Sequence, residues 1–364
     1  MPPKQRNDTP SIKIKEGRLG ENSFPPTLLA YEMRQAFSLS TLPVTSWTAY
    51  RGDRAVGRIA ACVGGGGPGI GSFGFLEVEE DAVVLAALLD TARAWLAARG
   101  MTRLRGPLSF TINHEVGVQV AGFDQPPMLR MPQNPPWLSP MLEALGLAPE
   151  KDVLACTLDL AREVHRARAA RVLGGFEGRE RLRVRPLNTG DWAAEVARLA
   201  ALFNDAWAEN WGFVGISPPE AAAIAKIMRP VARSSVILFA EWDGVPIGVL
   251  AMLPNIEEAR GSWRLLPALL FGRVGSARIA MLGVSRSLRG TRVSSAATAL
   301  MLSTAINAAE ARGWRRIEIS WILEDNAAML ALMARLPAPV TGRWRIHGGP
   351  IDMLPSTKPA QTGG

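Results

Sequence analysis

Two helical stretches of the chain end in the same way. In "TARAWLAARGMTRLR", from Thr91, and "TAINAAEARGWRRIE", from Thr304, apolar and small residues recur at helical spacing, Ala-Arg-Gly closes the helix, and basic and apolar positions then alternate as in a strand. Thirteen positions after Gly100 stands Asn113 in "TINHE", and thirteen after Gly313 stands Asn326 in "LEDNA". Upstream of each, "AYRGDRAVGRIA" and "AEWDGVPIGVLA" alternate about a Gly-Asp or Asp-Gly turn, which predicts a hairpin. The chain therefore reads as two related halves, each running helix, hairpin, strand, helix, strand, then a further helix and terminal strands. That order predicts a mixed α/β (α+β) sheet architecture in tandem. From Gly57 to Asn113 is 56 positions and from Gly248 to Asn326 is 78, so the second half carries 78 − 56 = 22 extra residues, which "PNIEEARGSWRLLPALLFGRVGS" supplies.

Length agrees with two domains, since 364 residues exceed one ordinary core. The expected organisation is a disordered N-terminus over 1–22, an N-terminal half over 23–160, a charged connector over 161–183, a C-terminal half over 184–354 and a disordered tail over 355–364. With 41 basic against 33 acidic residues the chain carries +8, so phosphates, anionic lipid or nucleic acid are the partners its charge attracts. Cys62 and Cys156 sit in apolar settings without CxxC spacing, which speaks against a disulfide framework or a metal site. The polar first residues lack a signal-peptide core and no run of eighteen apolar residues occurs, so the expected place is the cytoplasm, free or lying on the inner membrane surface.

One passage points to chemistry. The apolar run Ala277 to Val284 feeds "SRSLRGTRVSS", and a helix is expected to begin near Val293 or Ser294, with Val293, Ala297, Leu300 and Ala308 on one face. A helix N-terminus after a strand exposes backbone N–H groups that attract a pyrophosphate, and Arg286, Arg289 and Arg292 add charge. A plain basic turn would carry the same residues, so the loop alone leaves both readings open.

The segment "MLGVSRSLRGTRVSSAATALMLSTAINAAEARGWRRIEISWILEDNAAM" resembles the GNAT N-acyltransferase superfamily. The resemblance implies that Leu282, Gly283 and Val284 end the strand whose backbone faces the reacting carbonyl. It makes Arg289, Gly290, Thr291, Arg292, Val293 and Ser294 the pyrophosphate loop, and Asn326 the opening of the next helix. Arg292 and Ser294 stand where that family usually has glycine, so a backbone cradle requires ordinary helical φ at both. "FGFLEVEED", "RLRGPLSFTINHEVGVQVAGFDQPPMLRMPQNPPW", "FNDAWAENWGFVGISPPE", "SWILEDNAAM" and "RWRIHGGPI" extend the resemblance to a long bacterial GNAT-like family that includes ceramide synthases. Its implied reaction moves a fatty acyl group from acyl-CoA to the amine of a sphingoid base or its 3-oxo precursor. Acyl-CoA is then a co-substrate, no cofactor is permanently bound, and no nucleic acid is expected as partner.

Amide formation needs a neutral amine, a base, donors for the oxyanion and a proton for the departing thiolate. Asn113, His114 and Glu115 follow the repeated asparagine in the half whose phosphate loop is replaced by "EVEEDAVVL"; they are candidates for the base, or for a cap on a helix. That half is the degenerate one, expected to serve the acceptor. His347 is a second candidate for the acid, and His165 falls in the charged connector. Asn204, Trp207 and Trp211 stand at i, i+3 and i+7 with Phe213 beyond, a stripe that suits either a core face or a wall for a long-chain amine. "PPMLRMPQNPPWLSPM" is expected as a rigid loop, and the resemblance puts Gln133, Asn134 and Trp137 near the acceptor. Trp263 to Arg273 sets one apolar patch between Arg264 and Arg273, suited to a membrane surface or to covering the sheet. The leading expectation is an N-acyltransferase. Its rivals are an enzyme resembling the aminoacyl-tRNA-dependent peptidoglycan transferases, which also pair GNAT-like halves, and a non-catalytic acyl-CoA-binding protein.

Overall fold

A computed structural model describes residues 11–17, 42–161 and 171–352. Residues 18–41, where the helix before the first hairpin is expected, His165 and the tail expected from residue 355 lie outside the described residues. In chain order, β1 (Ile12–Gly17), β2 (Val44–Arg51), β3 (Arg54–Cys62) and β4 (Ile70–Val78) lead to α1 (Ala82–Ala97). Next come β5 (Arg103–Gly106), β6 (Val118–Ala121), α2 (Leu138–Ala144), β7 (Ala148–Asp159) and β8 (Leu182–Pro186). Helices α3 (Trp192–Ala206) and α4 (Pro218–Ala232) precede the hairpin of β9 (Val236–Trp242) and β10 (Val245–Pro254). The chain closes with α5 (Leu265–Phe271), β11 (Ser276–Val284), α6 (Arg292–Ala311), β12 (Arg316–Leu323), α7 (Ala327–Arg335) and β13 (Val340–Pro350).

These elements form two compact units that interleave along the chain: unit 1 holds residues up to Val116, Trp137–Glu150 and Ile346 onward, and unit 2 holds Gly117–Pro136 and Lys151–Arg345. In unit 1 the strands run β1-β2-β3-β4-β5 and then the last residues of β13, with β4 and β5 parallel. Helix α1 lies on this sheet through Val84, Leu85, Leu88, Leu89 and Leu96, all buried. In unit 2 the order is β7-β12-β11-β10-β9-β8, with β11 and β12 parallel and β6 paired to Arg343–Arg345 of β13.

Strand alternation gives the unit 2 sheet two distinct faces. Ala277, Ile279, Ile317 and Ile319 meet Ala297, Met301 and Ala305 of α6 in one core. On the opposite face Phe239, Val249 and Met281 pack on Leu202 of α3, and Leu253 and Ala280 pack near Ala268 of α5.

Four expectations are corrected. Ile12–Gly17, inside the stretch expected to be disordered, is a strand, because Ile-Lys alternation lets it pair antiparallel with β2. No helix follows Asn113; the chain turns there, and Val116 bridges back to Leu108. Trp211 is not on a helix with Asn204, because α3 ends at Ala206 and the chain turns back. The proline-rich segment is a loop only to Pro136, after which Leu138–Ala144 is helical.

Candidate functional site

Strands β11 and β12 pair only over Ser276–Ile279 and Arg316–Ile319. Beyond Ile279, β11 keeps its ladder with β10, Leu282 against Leu250 and Val284 against Gly248, while Ile322 and Leu323 pair with Leu154 and Val153 of β7. The two strands therefore part, and among the described residues no strand pairs with the β12 side of Leu282, Gly283 and Val284. A β-bulge in the β10/β11 ladder at Ala251/Met252 marks where β11 turns away. A parting pair of parallel strands is a place where an extended, amide-bearing chain can bind by backbone hydrogen bonds.

The strand delivers its end straight to a helix. Ser285 N–H donates to the Ile247 carbonyl (2.7 Å), a short turn follows, and Thr291 caps α6 by accepting from Ser294 N–H at 3.2 Å. Gly290 alone in this loop takes left-handed backbone, φ 75°, and is the residue type that tolerates it. Arg292 and Ser294 lie inside the helix, so the absent glycines cost the loop nothing: both positions have the helical φ that any residue adopts. Among the described residues, the first-turn N–H groups of Arg292 and Val293 have no protein acceptor, which leaves them and the positive end of a 20-residue helix for an anion.

The loop's three arginines divide by partner. Arg289 Nη1 pairs with Glu209 at 2.8 Å and its other amine donates to the Ala206 carbonyl, while Arg286 reaches Asp205 and Glu209 at 3.9 and 3.6 Å. Asp205 also accepts from Ser285 Oγ (2.6 Å) and Arg286 N–H (2.9 Å). The Ser285 hydroxyl first, and that N–H second, hold the Asp205 carboxyl below the usual carboxylate range. Arg292, exposed at the first turn of α6, has no carboxylate partner among the described residues. It is the charge this loop leaves uncompensated.

Over the end of β11 lies an aromatic group. The Trp207 ring sits against Gly283 so closely that a Cβ there would come within 2.6 Å of it. Trp207 stacks on Phe203 (centroids 5.0 Å, 23°), and Phe213 packs on Phe203 at 5.7 Å. Asn204 spends its carboxamide on both backbone groups of Ile216, at 2.8 and 2.9 Å, which turns residues 207–216 back over the sheet. Trp211 lies 5.9 Å from Lys151 Nζ. Trp207, Phe213, Asn204 and the 282–284 stretch are thus brought together.

A buried acid on the same sheet face went unnoticed in the sequence. Glu318 lines a pocket with Gln119, Gln133, Met131 and Trp344. It accepts from Ser320 Oγ at 2.7 Å, and Arg278 donates to Ser320 Oγ at 2.8 Å and to the Leu129 carbonyl at 2.9 Å. Burial pushes its pKa up, and the opposing pull of Arg278 and Ser320 does not cancel that rise. The available signal was an acid between Ile317 and Ile319 in an alternating strand, which must point away from the core those isoleucines enter. Asn134 braces the neighbouring loop by accepting from Gln119 N–H (3.1 Å). Asn326, as cap of α7, accepts from Met329 N–H (3.1 Å).

The remaining candidates belong to unit 1. Asn113, His114 and Glu115 are half-buried in the turn after β5, where the His114 ring meets Phe110 edge-on at 6.0 Å. His347 is wholly buried on β13, with Nε2 3.1 Å from Ser139 Oγ and 3.4 Å from Glu143. Trp137 stands at the start of α2. Burial raises the thiols of Cys62 and Cys156 to about 12 and about 11, so neither is a thiolate nucleophile at neutral pH. No cluster of possible metal ligands occurs among the described residues.

A tandem GNAT protein from the clavulanic acid biosynthesis pathway superposes with a TM-score of 0.58 at 16% identity, covering 94% of this chain and 99% of that one. A GCN5-related N-acetyltransferase from Sphaerobacter thermophilus superposes at 0.53 with 14% identity, over 90% of this chain and 86% of its own. The fold is that of the tandem GNAT acyltransferases. No protein-family model matches the chain. A bacterial ceramide synthase from Caulobacter vibrioides (strain NA1000 / CB15N) is 35% identical over 302 residues, 79% of this chain and 78% of that protein. Protein YghO of Escherichia coli (strain K12) is 30% identical over 317 residues, 83% and 81% of the two chains. The chain belongs to the acyltransferase family of that bacterial ceramide synthase.

Proposed function

We propose that the protein transfers a long-chain acyl group from acyl-CoA to the amine of a sphingoid base, sphinganine or its 3-oxo form, giving a ceramide. The parting of β11 from β12 beside a free helix N-terminus carries the reading, and the ceramide synthase relative supplies its substrate class. In this reading the pantetheine arm lies along Leu282–Val284, and the pyrophosphate sits on the first turn of α6 beside Arg292. The acceptor's apolar chain runs along Trp207 and Phe213.

The chemistry then balances without a protein nucleophile. A neutral amine nitrogen attacks the thioester carbonyl and forms the C–N bond; the oxyanion is held by backbone N–H at the end of β11. The tetrahedral species breaks its C–S bond, the nitrogen loses its proton to a base, and the thiolate takes up a proton. We assign the base to Glu318, the buried acid on the β12 side of the sheet face that carries Trp207, whose carboxyl burial raises above its ordinary range. Asn113, His114 and Glu115, with His347 as acid, carry the competing assignment.

The test follows amide formation from palmitoyl-CoA with sphinganine, 3-oxosphinganine and simple amines, resolved by mass. Lipid amines are expected to react and simple amines not. Glu318→Gln is expected to lower kcat about a hundredfold with little change in KM, and Glu115→Gln to leave kcat within about threefold. The reverse pattern would transfer the base to Glu115, and no turnover with any lipid amine would remove the ceramide assignment.

A further inference from the structure

The extra segment of unit 2 forms a surface that the reaction does not use. Helix α5 turns Leu265, Ala268 and Leu269 inward against Leu253, Ile256, Ala259 and Ala280. Its other face is bare: Trp263 is 82% exposed, Leu266 63%, Leu270 49% and Phe271 66%. Large apolar side chains this exposed are scattered singly elsewhere among the described residues, whereas here four fall within nine positions. Arginines bound the patch. Arg264 stands over the Trp263 ring at 6.0 Å and Arg273 over Phe271 at 5.7 Å, and neither has a carboxylate partner among the described residues.

We infer that this face docks unit 2 on an anionic phospholipid bilayer, with Trp263, Leu266, Leu270 and Phe271 entering the headgroup boundary and Arg264 and Arg273 pairing with lipid phosphates. Aromatic and leucine side chains gain by leaving water at that depth, and cations flanking them meet phosphate there. A second copy of this chain fits the patch poorly. A two-fold contact over this patch would gather two copies each of Arg264 and Arg273, neither of which has a carboxylate partner among the described residues, into one interface.

The position of the patch gives docking a consequence. Leu265, Leu269 and Ala280 pack on one apolar cluster, and Ala280 stands two residues before the Leu282–Val284 stretch, on the same sheet face as Trp207. A lipid amine held in the bilayer therefore enters beside the strand that presents the thioester. Delivery of the amine rests on the function proposed above; docking itself does not.

Flotation of the full chain, without substrates, on phosphatidylcholine vesicles and on vesicles that also contain phosphatidylglycerol tests docking. The wild type is expected to float with the anionic vesicles about thirtyfold better than with neutral ones, the effect of two interfacial arginines. Arg264→Gln/Arg273→Gln is expected to erase that preference, and Trp263→Ala/Phe271→Ala to lower binding to both vesicles at least about tenfold. All four side chains are exposed, so unchanged circular dichroism and melting are expected and serve as the folding control. With the amine embedded in vesicles the aromatic variant should lose activity in step with flotation, and with the amine in detergent micelles it should match wild type. Flotation indifferent to both double variants would overturn the inference, as would a wild-type dimer that Trp263→Ala/Phe271→Ala makes monomeric. Absence of acyl transfer in micelles with flotation intact would overturn the function and leave docking standing.

Discussion

Two passages from strand to helix occupy equivalent places in the two units, Val78 to Ala82 after β4 and Val284 to Arg292 after β11. In unit 1 the connection is Glu79, Glu80 and Asp81. Asp81 caps α1 by accepting from Val83 and Val84 N–H at 3.0 and 3.1 Å and is paired with Arg51, so a carboxylate already occupies the helix N-terminus. In unit 2 the cap is the neutral Thr291 and the nearest free charge is Arg292. The strands differ as well. Strand β4 also pairs with its parallel neighbour over only three residues, Ile70–Ser72, but there the protein's own chain fills the gap. Leu108 N–H donates to the Phe73 carbonyl (2.6 Å), the Leu108 carbonyl lies where a Cβ on Gly74 would be, and Phe110 packs edge-on against Phe75 at 4.8 Å. One fold element thus yields a closed structural joint in unit 1 and, in unit 2, an open parting of the strands beside an uncompensated Arg292. Whether a strand-helix joint binds an anion depends on what caps the helix and what fills the gap, and the fold fixes neither.

Crowding the end of β11 should have the largest effect. Gly283→Val places branched carbon where the Trp207 ring lies 2.6 Å from a bare Cβ, so the ring must move away from the strand end beside the open gap. Acyl transfer is expected to fall at least about a hundredfold in kcat/KM, at a cost in stability of about 1–3 kcal/mol. Steady-state kinetics and thermal melting check both, and an active Gly283→Val enzyme would mean that the thioester binds elsewhere. Arg292→Gln sharpens the comparison at the first turn of α6. It removes the uncompensated charge without touching the Asp205 and Glu209 pairs, so KM for acyl-CoA should rise about tenfold with kcat nearly constant. The shift should shrink with added salt.

The contrast between the joints was partly written in the sequence. The hairpins, the two Ala-Arg-Gly helices and the strand-loop-helix passage at Val284 follow from alternation, spacing and turn residues, and "EVEED" already announced an acidic joint. Contacts made at long range were not legible. Nothing local shows that Asn204 would fold residues 207–216 back through Ile216, so helical spacing continued to Trp211 where the helix had already ended. Asp205 and Glu209 read as ordinary surface acids in "FNDAWAENW", yet they hold Arg286 and Arg289, some 80 positions away. Glu318 looked like one polar position of an alternating strand until the 117–136 segment covered that face. Patterning reports which way a side chain points; its partner is decided by topology.

The tie between α3 and the loop should give a smaller effect. Asp205→Asn keeps the shape but removes the charge that accepts from Ser285 and Arg286, so KM for acyl-CoA should rise about threefold, a partly solvated charged hydrogen bond. The sign with pH follows from the depressed carboxyl. Its stabilisation is complete above the ordinary aspartate range and is lost as pH falls through its lower folded value. Acidification below that range should therefore lower the melting temperature of wild type more than that of Asp205→Asn. Equal slopes for the two proteins would show that the Asp205 contact does not persist in solution.

The smallest expected effect tests the comparison from the other side. Glu79→Gln/Glu80→Gln removes two negative charges next to the α1 N-terminus but leaves Asp81 on Val83 and Val84 N–H and the 107–110 chain in the gap. If the unit 1 joint is closed, less negative charge there gives acyl-CoA no new place to bind. KM for acyl-CoA should stay within about twofold of wild type, and melting should shift by less than about 0.5 kcal/mol in stability, as expected for exposed surface changes. Saturation binding of acyl-CoA by calorimetry should give one site per chain in both proteins. A second site appearing in the variant would mean that acid alone, and not the filled gap, keeps the carrier out of unit 1; the two joints would then differ by charge only, and the open parting of β11 and β12 would lose its standing as the feature that selects the donor.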